Sequence, residues 1–365
     1  MESKLLDLHC DKSCYIIAGA KKAREKIRKE IMKKPLLLYN GNMKEVANNK
    51  YLGCLLAPTV GQSITDTINS SIGLSRRAVY EIRTIIEDSR AGALGAFTVG
   101  LNLWELSVIP MLLFSCEVWN GIPEKTMKQL EEINSLMLTN LLGVSKRGCP
   151  EVSLYLETAS LTMRNRILLQ KLLFIHHVAT LPSNTLAREF FEEQVRNKNH
   201  DSVATQCLDQ LNQWGIKDIR LYSKQSWKKE MKLRIRKKNF QYLLEWSTKY
   251  KKVNTDYYRN KLNEISPYLK NLNLHDSRVL FRKNSYMLQS VRLNFKSNHR
   301  YKAEGYLCPD CLSLDPPVRH LDHQDELLTC QGNSDIRQKW DLRDQKQEAA
   351  FYRELIARRT QNYGG

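Results

Sequence analysis

Hydrophobic positions recur with helical spacing along most of the chain. Beyond Pro58 an apolar stripe repeats every three, four or seven residues, and it ends at small residues in the segment 92–95. This spacing puts the side chains on one face of a helix, which indicates an amphipathic helix packed on a core. The stripe consists of Ile64, Ile68, Ile72, Val79, Ile82 and Ile86.

Further helices are predicted on both sides of glycine and proline breaks. The most apolar stretch, 101–119, is interrupted by Glu105, Pro110 and Glu117, so it predicts a buried helix with a proline break and no membrane span. The chain beyond residue 201 continues as helical segments. The other helices are predicted at 123–142, 160–180, 184–197 and 340–359.

The N-terminal pattern is different. Short β-prone runs at 13–19 and 51–56 lie on either side of a basic helical segment at 21–34 and a turn at Asn40–Gly41. The fold class predicted is therefore mainly α, with a small α/β part at the N-terminus. We expect four consecutive domains, at 1–60, 61–200, 201–303 and 304–365.

Positive charge is concentrated in one block. Residues 217–303 hold 23 Lys and Arg against 6 Asp and Glu, which gives 17 of the net charge of +18. Basic residues interleaved with aromatic ones favour a nucleic-acid partner, and a solvated basic helix face is the alternative. The predicted nucleic-acid-binding residues are Lys228, Lys229, Lys232, Arg234, Arg236, Lys237, Lys238, Arg282, Lys283 and Arg292.

The cysteines favour a reducing compartment. Six of the nine stand singly, without the spacing of a disulfide framework. The N-terminal residues contain no apolar run long enough for a secretory signal. We therefore expect an intracellular protein, in the nucleus or the cytoplasm. The six are Cys10, Cys14, Cys54, Cys116, Cys149 and Cys207.

A zinc-binding pattern follows the basic block. Cys308 and Cys311 have the knuckle spacing that lets two thiolates point at one tetrahedral ion, and Cys330 lies behind them. We expect a small structural zinc module that holds Zn²⁺ weakly. The alternative is a thiol-containing loop whose metal site has decayed.

The fourth zinc ligand has more than one candidate. Glu326 lies four residues before Cys330, a single turn along a helix, where two ligands of one ion would meet. His323 lies seven residues before Cys330, about 10 Å along a continuous helix, so it can ligate only if the helix begins after it. His320 is the remaining candidate.

Common catalytic signatures are missing from the sequence. The chain has no phosphate-binding Gly-rich loop ending in Lys-Ser/Thr, no His-Glu-x-x-His, no Gly-x-Ser-x-Gly and no Asp-Asp pair. His176 and His177 are adjacent on a predicted helix and point about 100° apart, so they could not easily share a metal. We expect one ring to be packed and the other to lie at the surface.

Several short motifs together resemble a known family. Near the N-terminus, Asp11-Lys12-Ser13 precedes one predicted strand and Tyr51-Leu52-Gly53 opens another. With the later motifs, these segments resemble successive parts of the reverse transcriptases of non-LTR retrotransposons. The later motifs are Leu141-Leu142-Gly143-Val144, Met163-Arg164, Arg292-Leu293-Asn294-Phe295, Cys308-Pro309-Asp310-Cys311 and Asp325-Glu326-Leu327-Leu328-Thr329-Cys330.

The resemblance implies an order of parts along the chain. The N-terminus would be the end of a palm, with Tyr51, Leu52 and Gly53 in the strand that supports the primer end. A helical thumb-like bundle, a basic linker and a C-terminal zinc knuckle would follow. Relatives commonly have His where this chain has Glu326, so metal binding would be weaker here.

The missing aspartates decide what activity to expect. Nucleotidyl transfer needs carboxylates that hold two metal ions, and the family's Asp-Asp box has no counterpart here. We expect no catalytic residues and no catalytic metal, and a fragment that binds RNA or single-stranded DNA. One alternative is a truncated gene model of an active RNA-directed DNA polymerase, and another is a helical protein-interaction module. The sequence leaves the oligomeric state open and favours no membrane partner.

Overall fold

The architecture is mainly helical, which confirms the predicted fold class at that level. Among the described residues, no helix combines the length and apolarity needed to cross a bilayer. The computed structural model describes residues 14–38, 41–51, 54–90, 95–144, 149–197, 202–250, 253, 255–261, 263–285, 330 and 333–363.

The N-terminal residues form short paired strands and one helix. The expected single strand at 51–56 is wrong, because the antiparallel register pairs Tyr51 with Cys54 and so puts them on two neighbouring strands. Helix α1 (Lys21–Lys33) agrees with the prediction. The pairs are β1 (Cys14–Tyr15) with β4 (Lys44–Glu45), parallel, and β2 (Leu37–Leu38) with β3 (Gly41–Asn42) and β5 (Asn49–Tyr51) with β6 (Cys54–Leu56), both antiparallel.

The rest of the described chain is helical. The predicted segments 123–142, 160–180 and 184–197 agree with α5, α7 and α8 to within three residues at each end. The helices are α2 (Val60–Arg90), α3 (Ala96–Leu103), α4 (Ile109–Leu112), α5 (Glu124–Leu142), α6 (Glu151–Thr158), α7 (Met163–Ala179), α8 (Leu186–Arg196), α9 (Val203–Gln213), α10 (Lys224–Ser247), α11 (Thr255–Asn260), α12 (Pro267–Asn271), α13 (Leu274–Asn284), α14 (Ser334–Gln338) and α15 (Gln345–Tyr363).

The chain divides into two compact units, each drawn from separate stretches of sequence. Helices α2, α5, α7 and α10 contribute residues to both units. The division into four consecutive domains stays a prediction. Unit one comprises Met1–Arg76, Ile109–Glu131 and Arg166–Met231, and unit two comprises Arg77–Val108, Glu132–Asn165 and Lys232–Gly365.

The predicted apolar stripe of α2 is confirmed, because all six of its side chains are buried. The expected break at Pro110 is not observed, because Pro110 lies within α4 and the helical backbone continues from Ala96 to Leu112. A π-helical turn, Trp104–Val108, joins α3 to α4 just before Pro110. Proline has no N–H to donate to the carbonyl four residues earlier, and the wider turn accommodates that loss.

Unit one packs around Trp227. Its indole Nε1 donates to the carbonyl oxygen of Leu172 at 3.0 Å, and its ring stacks on His176 with centroids 5.0 Å apart. His176 Nε2 lies 3.0 Å from the carbonyl oxygen of Tyr222, while His177 is exposed. The expectation of one packed ring and one surface ring is therefore confirmed.

The C-terminal helix begins later than predicted. The segment 340–359 was expected to be helical, but α15 begins at Gln345. Asp344 Oδ1 accepts a hydrogen bond from the backbone N–H of Gln347, which is the geometry of a helix N-cap. Trp340 lies outside the helix and donates its indole N–H to Glu354 at 3.0 Å.

Unit two contains a buried carboxylate, that of Glu157. The Tyr258 hydroxyl donates to Glu157 Oε1 at 3.0 Å, and the Ser266 hydroxyl donates to Oε2. Lys261 Nζ donates to the carbonyl oxygens of Leu156 and Glu157 at 2.7 and 2.9 Å and lies 3.5 Å from Oε2. Burial lowers the pKa of Lys261, and the Glu157 charge opposes this effect. These contacts link α6 to the segment that begins at α11.

Loss of the Lys261 ammonium should destabilise the fold. We expect Lys261→Met to lower the free energy of unfolding by about 3–5 kcal/mol, because the Glu157 charge would remain buried without its cation. Lys249→Met is a matched control at an exposed lysine and should change stability by no more than about 0.5 kcal/mol. Urea denaturation followed by circular dichroism measures both. Equal losses in the two variants would contradict the structural role of Lys261.

Candidate nucleic-acid interface

Helix α10 buries every fourth residue. The buried positions are each at most 1% exposed, although the helix carries eight Lys and Arg. Residues four apart are rotated by 400°, so this buried stripe winds around the helix by about 40° at each step. The stripe consists of Trp227, Met231, Ile235, Asn239, Leu243 and Ser247.

Basic residues follow the buried stripe at the same four-residue spacing. Lys224, Lys228, Lys232 and Arg236, here called the basic row, are all exposed. Three of them directly follow a buried residue, so they point about 100° away from the stripe and rise about 6 Å from one to the next. Within the described part of the chain, none of the four forms an ion pair.

The face opposite the stripe is also basic. Lys229 and Lys237 are exposed there, on either side of Leu233, which is 64% exposed. Five of the predicted nucleic-acid-binding residues, Lys228, Lys229, Lys232, Arg236 and Lys237, therefore lie on open helix surface. Lys224 belongs to the same surface and was missed, although its four-residue spacing is visible in the sequence.

Arg234 and Lys238 lie on the other flank of the stripe and are partly buried. Burial lowers the pKa of Lys238. Both residues contact other groups. They are therefore less open to a ligand than the basic row.

An aromatic row continues that flank toward the end of α10. Tyr242, Trp246 and Tyr250 succeed one another at centroid distances of 6.0 and 6.4 Å. Tyr242 is 51% exposed and Tyr250 is 37% exposed. Tyr242 and Trp246 lie on successive turns of α10, and Tyr250 follows the end of the helix. Neighbouring aromatic rings of this kind are suitable for stacking nucleic-acid bases.

Other aromatic residues of the basic block are structural. Trp227, Tyr258 and Tyr268 are each at most 2% exposed, so their rings are closed to bases. Burial, together with the nearby Glu157 charge, raises the pKa of both tyrosines. Sequence alone does not separate these rings from the exposed ones, because both kinds occur among the same basic residues.

Two predicted binding residues in α13 serve the fold. Arg282 Nη2 donates to the carbonyl oxygen of Gly143 at 2.7 Å, and Lys283 pairs with Glu348 at 3.2 Å. Burial lowers the pKa of Arg282. Their assignment to a nucleic-acid surface is therefore not supported by their positions.

Arg278, a third cation of α13, makes further hydrogen bonds to the end of α5. Arg278 donates to the carbonyl oxygens of Asn140 and Leu141, both at 3.0 Å, and to Glu87 at 2.8 Å. The last carbonyls of a helix lack intrahelical donors and carry partial negative charge, so cations stabilise them. Gly143 has φ +59°, and a Cβ there would lie 2.6 Å from Arg278 Nε, so glycine fits this close approach.

Other predicted residues lie outside the described residues: Leu52, Gly53, Arg292, Cys308, Cys311, His320, His323 and Glu326. Tyr51 ends β5, and the Cys330 side chain is buried. Among the residues that the structure describes, no group of three or more His, Cys, Asp or Glu could hold a metal ion.

Comparisons with protein-family models, with curated proteins and with solved structures find no match to this chain.

Substitution of a structural cation should lower the free energy of unfolding more than substitution of a surface cation. We expect Arg282→Gln to lower the free energy of unfolding by about 1.5–3 kcal/mol, because a charged hydrogen bond to the Gly143 carbonyl is lost. Lys232→Gln should stay within about 0.5 kcal/mol of the parent chain, since Lys232 is exposed. Chemical denaturation measures both, and a stability loss confined to Lys232→Gln would reverse the assignment.

Proposed function

We propose that the chain binds RNA or single-stranded DNA through the exposed surface of α10. The observation that carries this proposal is the basic row, four exposed cations at successive turns of one helix and without ion pairs in the described part of the chain. The formal charge supports it, since residues 217–303 hold 17 of the 18 net positive charges. Phosphate neutralisation by such side chains releases condensed counterions and drives binding without reading sequence.

The aromatic row gives the proposed interface its second element. Tyr242, Trp246 and Tyr250 present rings near the C-terminal end of the helix that carries the basic row. Stacking on aromatic rings requires unstacked bases, so single strands are favoured over duplexes. Lys and Arg would position the phosphate backbone, and the aromatic rings would contact the bases.

We propose further that the chain corresponds to the C-terminal part of a non-LTR retrotransposon reverse transcriptase. The support is the series of motifs from Asp11-Lys12-Ser13 to Cys330, together with the helical character of the region that would be thumb and linker. Short strand pairs with one helix at 14–56 accord with a palm remnant. The chain lacks an Asp-Asp pair, so the role proposed for it is binding and not nucleotidyl transfer.

Binding should depend steeply on salt, and the basic row should account for much of that dependence. For single strands the logarithm of affinity falls by about 0.7 per neutralised phosphate for each tenfold rise in salt. We expect the combined substitution of Lys224, Lys228, Lys232 and Arg236 by Gln to reduce that slope by up to about 3. Fluorescence anisotropy of a labelled single-stranded RNA, titrated at several salt concentrations, measures the slope.

A matched control removes the same number of charges elsewhere. Arg76, Arg77, Lys125 and Lys128 are exposed and lie outside α10, and their combined substitution by Gln should change the slope by less than about 1. The interface assignment fails if the two quadruple variants lower the slope equally, and nucleic-acid binding fails if the parent chain shows no salt-dependent affinity.

The proposed knuckle should hold zinc weakly because of Glu326. A carboxylate in place of imidazole changes the charge of the ligand set and the hydrogen bonding that orients it. We expect Glu326→His to tighten zinc binding and Cys308→Ser to abolish it, as measured on the full chain by competition with a chromogenic chelator. If His323 is the fourth ligand, His323→Ala removes zinc and Glu326→Ala does not. Stoichiometric zinc in the Cys308→Ser variant would refute the knuckle.

A further inference from the structure

Unit one contains a cavity that the proposed interface does not use. It has a volume of about 350 Å³ and lies between α8 and the segment 217–220. This volume falls in the range of small-molecule pockets, about 300–1,000 Å³. Its lining includes six charged residues, and Phe191, Val195 and Ile219 are among the apolar ones.

The most buried charged group of this cavity has an unused donor. Arg188 is 8% exposed, and its Nε donates to Glu192 Oε1 at 2.7 Å. Its guanidinium carbon lies 5.8 Å from the centroid of the Phe191 ring. Its Nη1 is buried and makes no hydrogen bond to any described residue. A buried donor left unpaired costs about 1–3 kcal/mol, so a ligand that accepts from it would be favoured.

Three more cations line the cavity, and all are exposed: Arg196, Lys217 and Arg220. Two carboxylates accompany them. Asp218 holds Arg220 through contacts of 3.0 and 3.2 Å, and Glu192 holds Arg188. Arg220 is the main cause of the lowered pKa of Asp218, and Arg188 contributes, so these groups share one electrostatic environment. Four cations and two anions leave a formal charge of +2 around the cavity.

We propose that this cavity binds the phosphate group of a phosphate monoester, with Arg188 Nη1 as the buried donor. A phosphate monoester carries a charge between −1.5 and −2 at pH 7, which balances the charge around the cavity. Guanidinium groups suit its tetrahedral oxygens because they donate in a fixed fork. The apolar lining residues, among them Phe191, are suitable for the organic group of the ester. None of the cavity's cations belongs to the basic row, so the two proposed sites share no cation.

Two sources could supply this group: a free nucleotide and the 5′-terminal phosphate of a nucleic-acid strand. Calorimetric titration of the full chain with adenosine 5′-monophosphate should give saturable binding, whereas adenosine should give none. Arg188→Lys should weaken nucleotide binding about tenfold or more, because Lys lacks the forked donor. Arg196→Gln with Arg220→Gln should also weaken it, and these exposed positions keep the test valid if Arg188→Lys fails to fold.

Two controls make the result specific. Arg76→Gln removes an exposed arginine of unit one outside the cavity, and the quadruple Gln variant of the basic row removes four cations of α10. Both should bind adenosine 5′-monophosphate as the parent chain does. No saturable binding by the parent, or equal affinity in the parent and in the Arg196→Gln/Arg220→Gln variant, would overturn the proposal.

A second arm identifies the source of the phosphate. In the basic-row variant, a short oligonucleotide with a 5′-phosphate should compete with adenosine 5′-monophosphate better than its 5′-hydroxyl counterpart if strand ends are bound. Equal competition by the two oligonucleotides, with nucleotide binding retained, would support the free nucleotide as the source. Nucleotide binding at the cavity and the salt dependence of RNA binding at α10 are measured independently. The cavity proposal and the interface proposal can therefore fail separately.

Discussion

The burial of every fourth residue along α10 is the constraint on which the functional account depends. Trp227, Met231 and Ile235 are buried, which fixes the rotation of the helix about its axis. Because an α-helix has 3.6 residues per turn, the direction of every other side chain on the helix follows. The residue that follows each of these buried positions is basic and points to solvent. One continuous helix therefore contributes side chains to the core and also presents a charged surface to solvent. A change that rotates the buried stripe would also move the basic row.

The Lys and Arg residues of the basic block have two physical roles: some are exposed to solvent, and others bond to groups of the fold. Composition alone does not distinguish the two. In α10 the cations of the basic row are exposed, whereas in α13 Arg278 donates to the Leu141 carbonyl at the end of α5 and Arg282 donates to the carbonyl of Gly143, which follows that helix. The buried Lys261 belongs to the second kind, since its ammonium lies in the polar network of Glu157. Part of the positive charge thus stabilises the fold, and the charge available to a polyanion is smaller than the count of Lys and Arg indicates.

Much of the fold follows from the sequence, and the failures have local causes. The periodic stripe of α2 and the bounds of α5, α7 and α8 were predictable, because apolar spacing and glycine or proline breaks specify them. The start of α15 was misplaced because the cap at Asp344 outweighs the apolar pattern that begins at Trp340. Arg282 was predicted to bind nucleic acid because its actual partner, the Gly143 carbonyl, lies 139 residues away in the sequence. The charge pattern of the sequence gives no sign of such a distant partner. The cavity around Arg188 could not be found from sequence, since its members come together only through the packing of unit one.

If the proposed function is correct, nucleic acid contacts α10. Helix α1 is the natural competitor, because it also carries many Lys and Arg, although Arg28 is engaged with Glu45. Ultraviolet cross-linking of the full chain to a single-stranded RNA that contains 4-thiouridine, followed by mass spectrometry of the peptides, distinguishes the two helices. We expect cross-links at Tyr242, Trp246 or Tyr250, as the proposed α10 interface requires. Cross-links confined to peptides of α1, with none in residues 224–250, would contradict it.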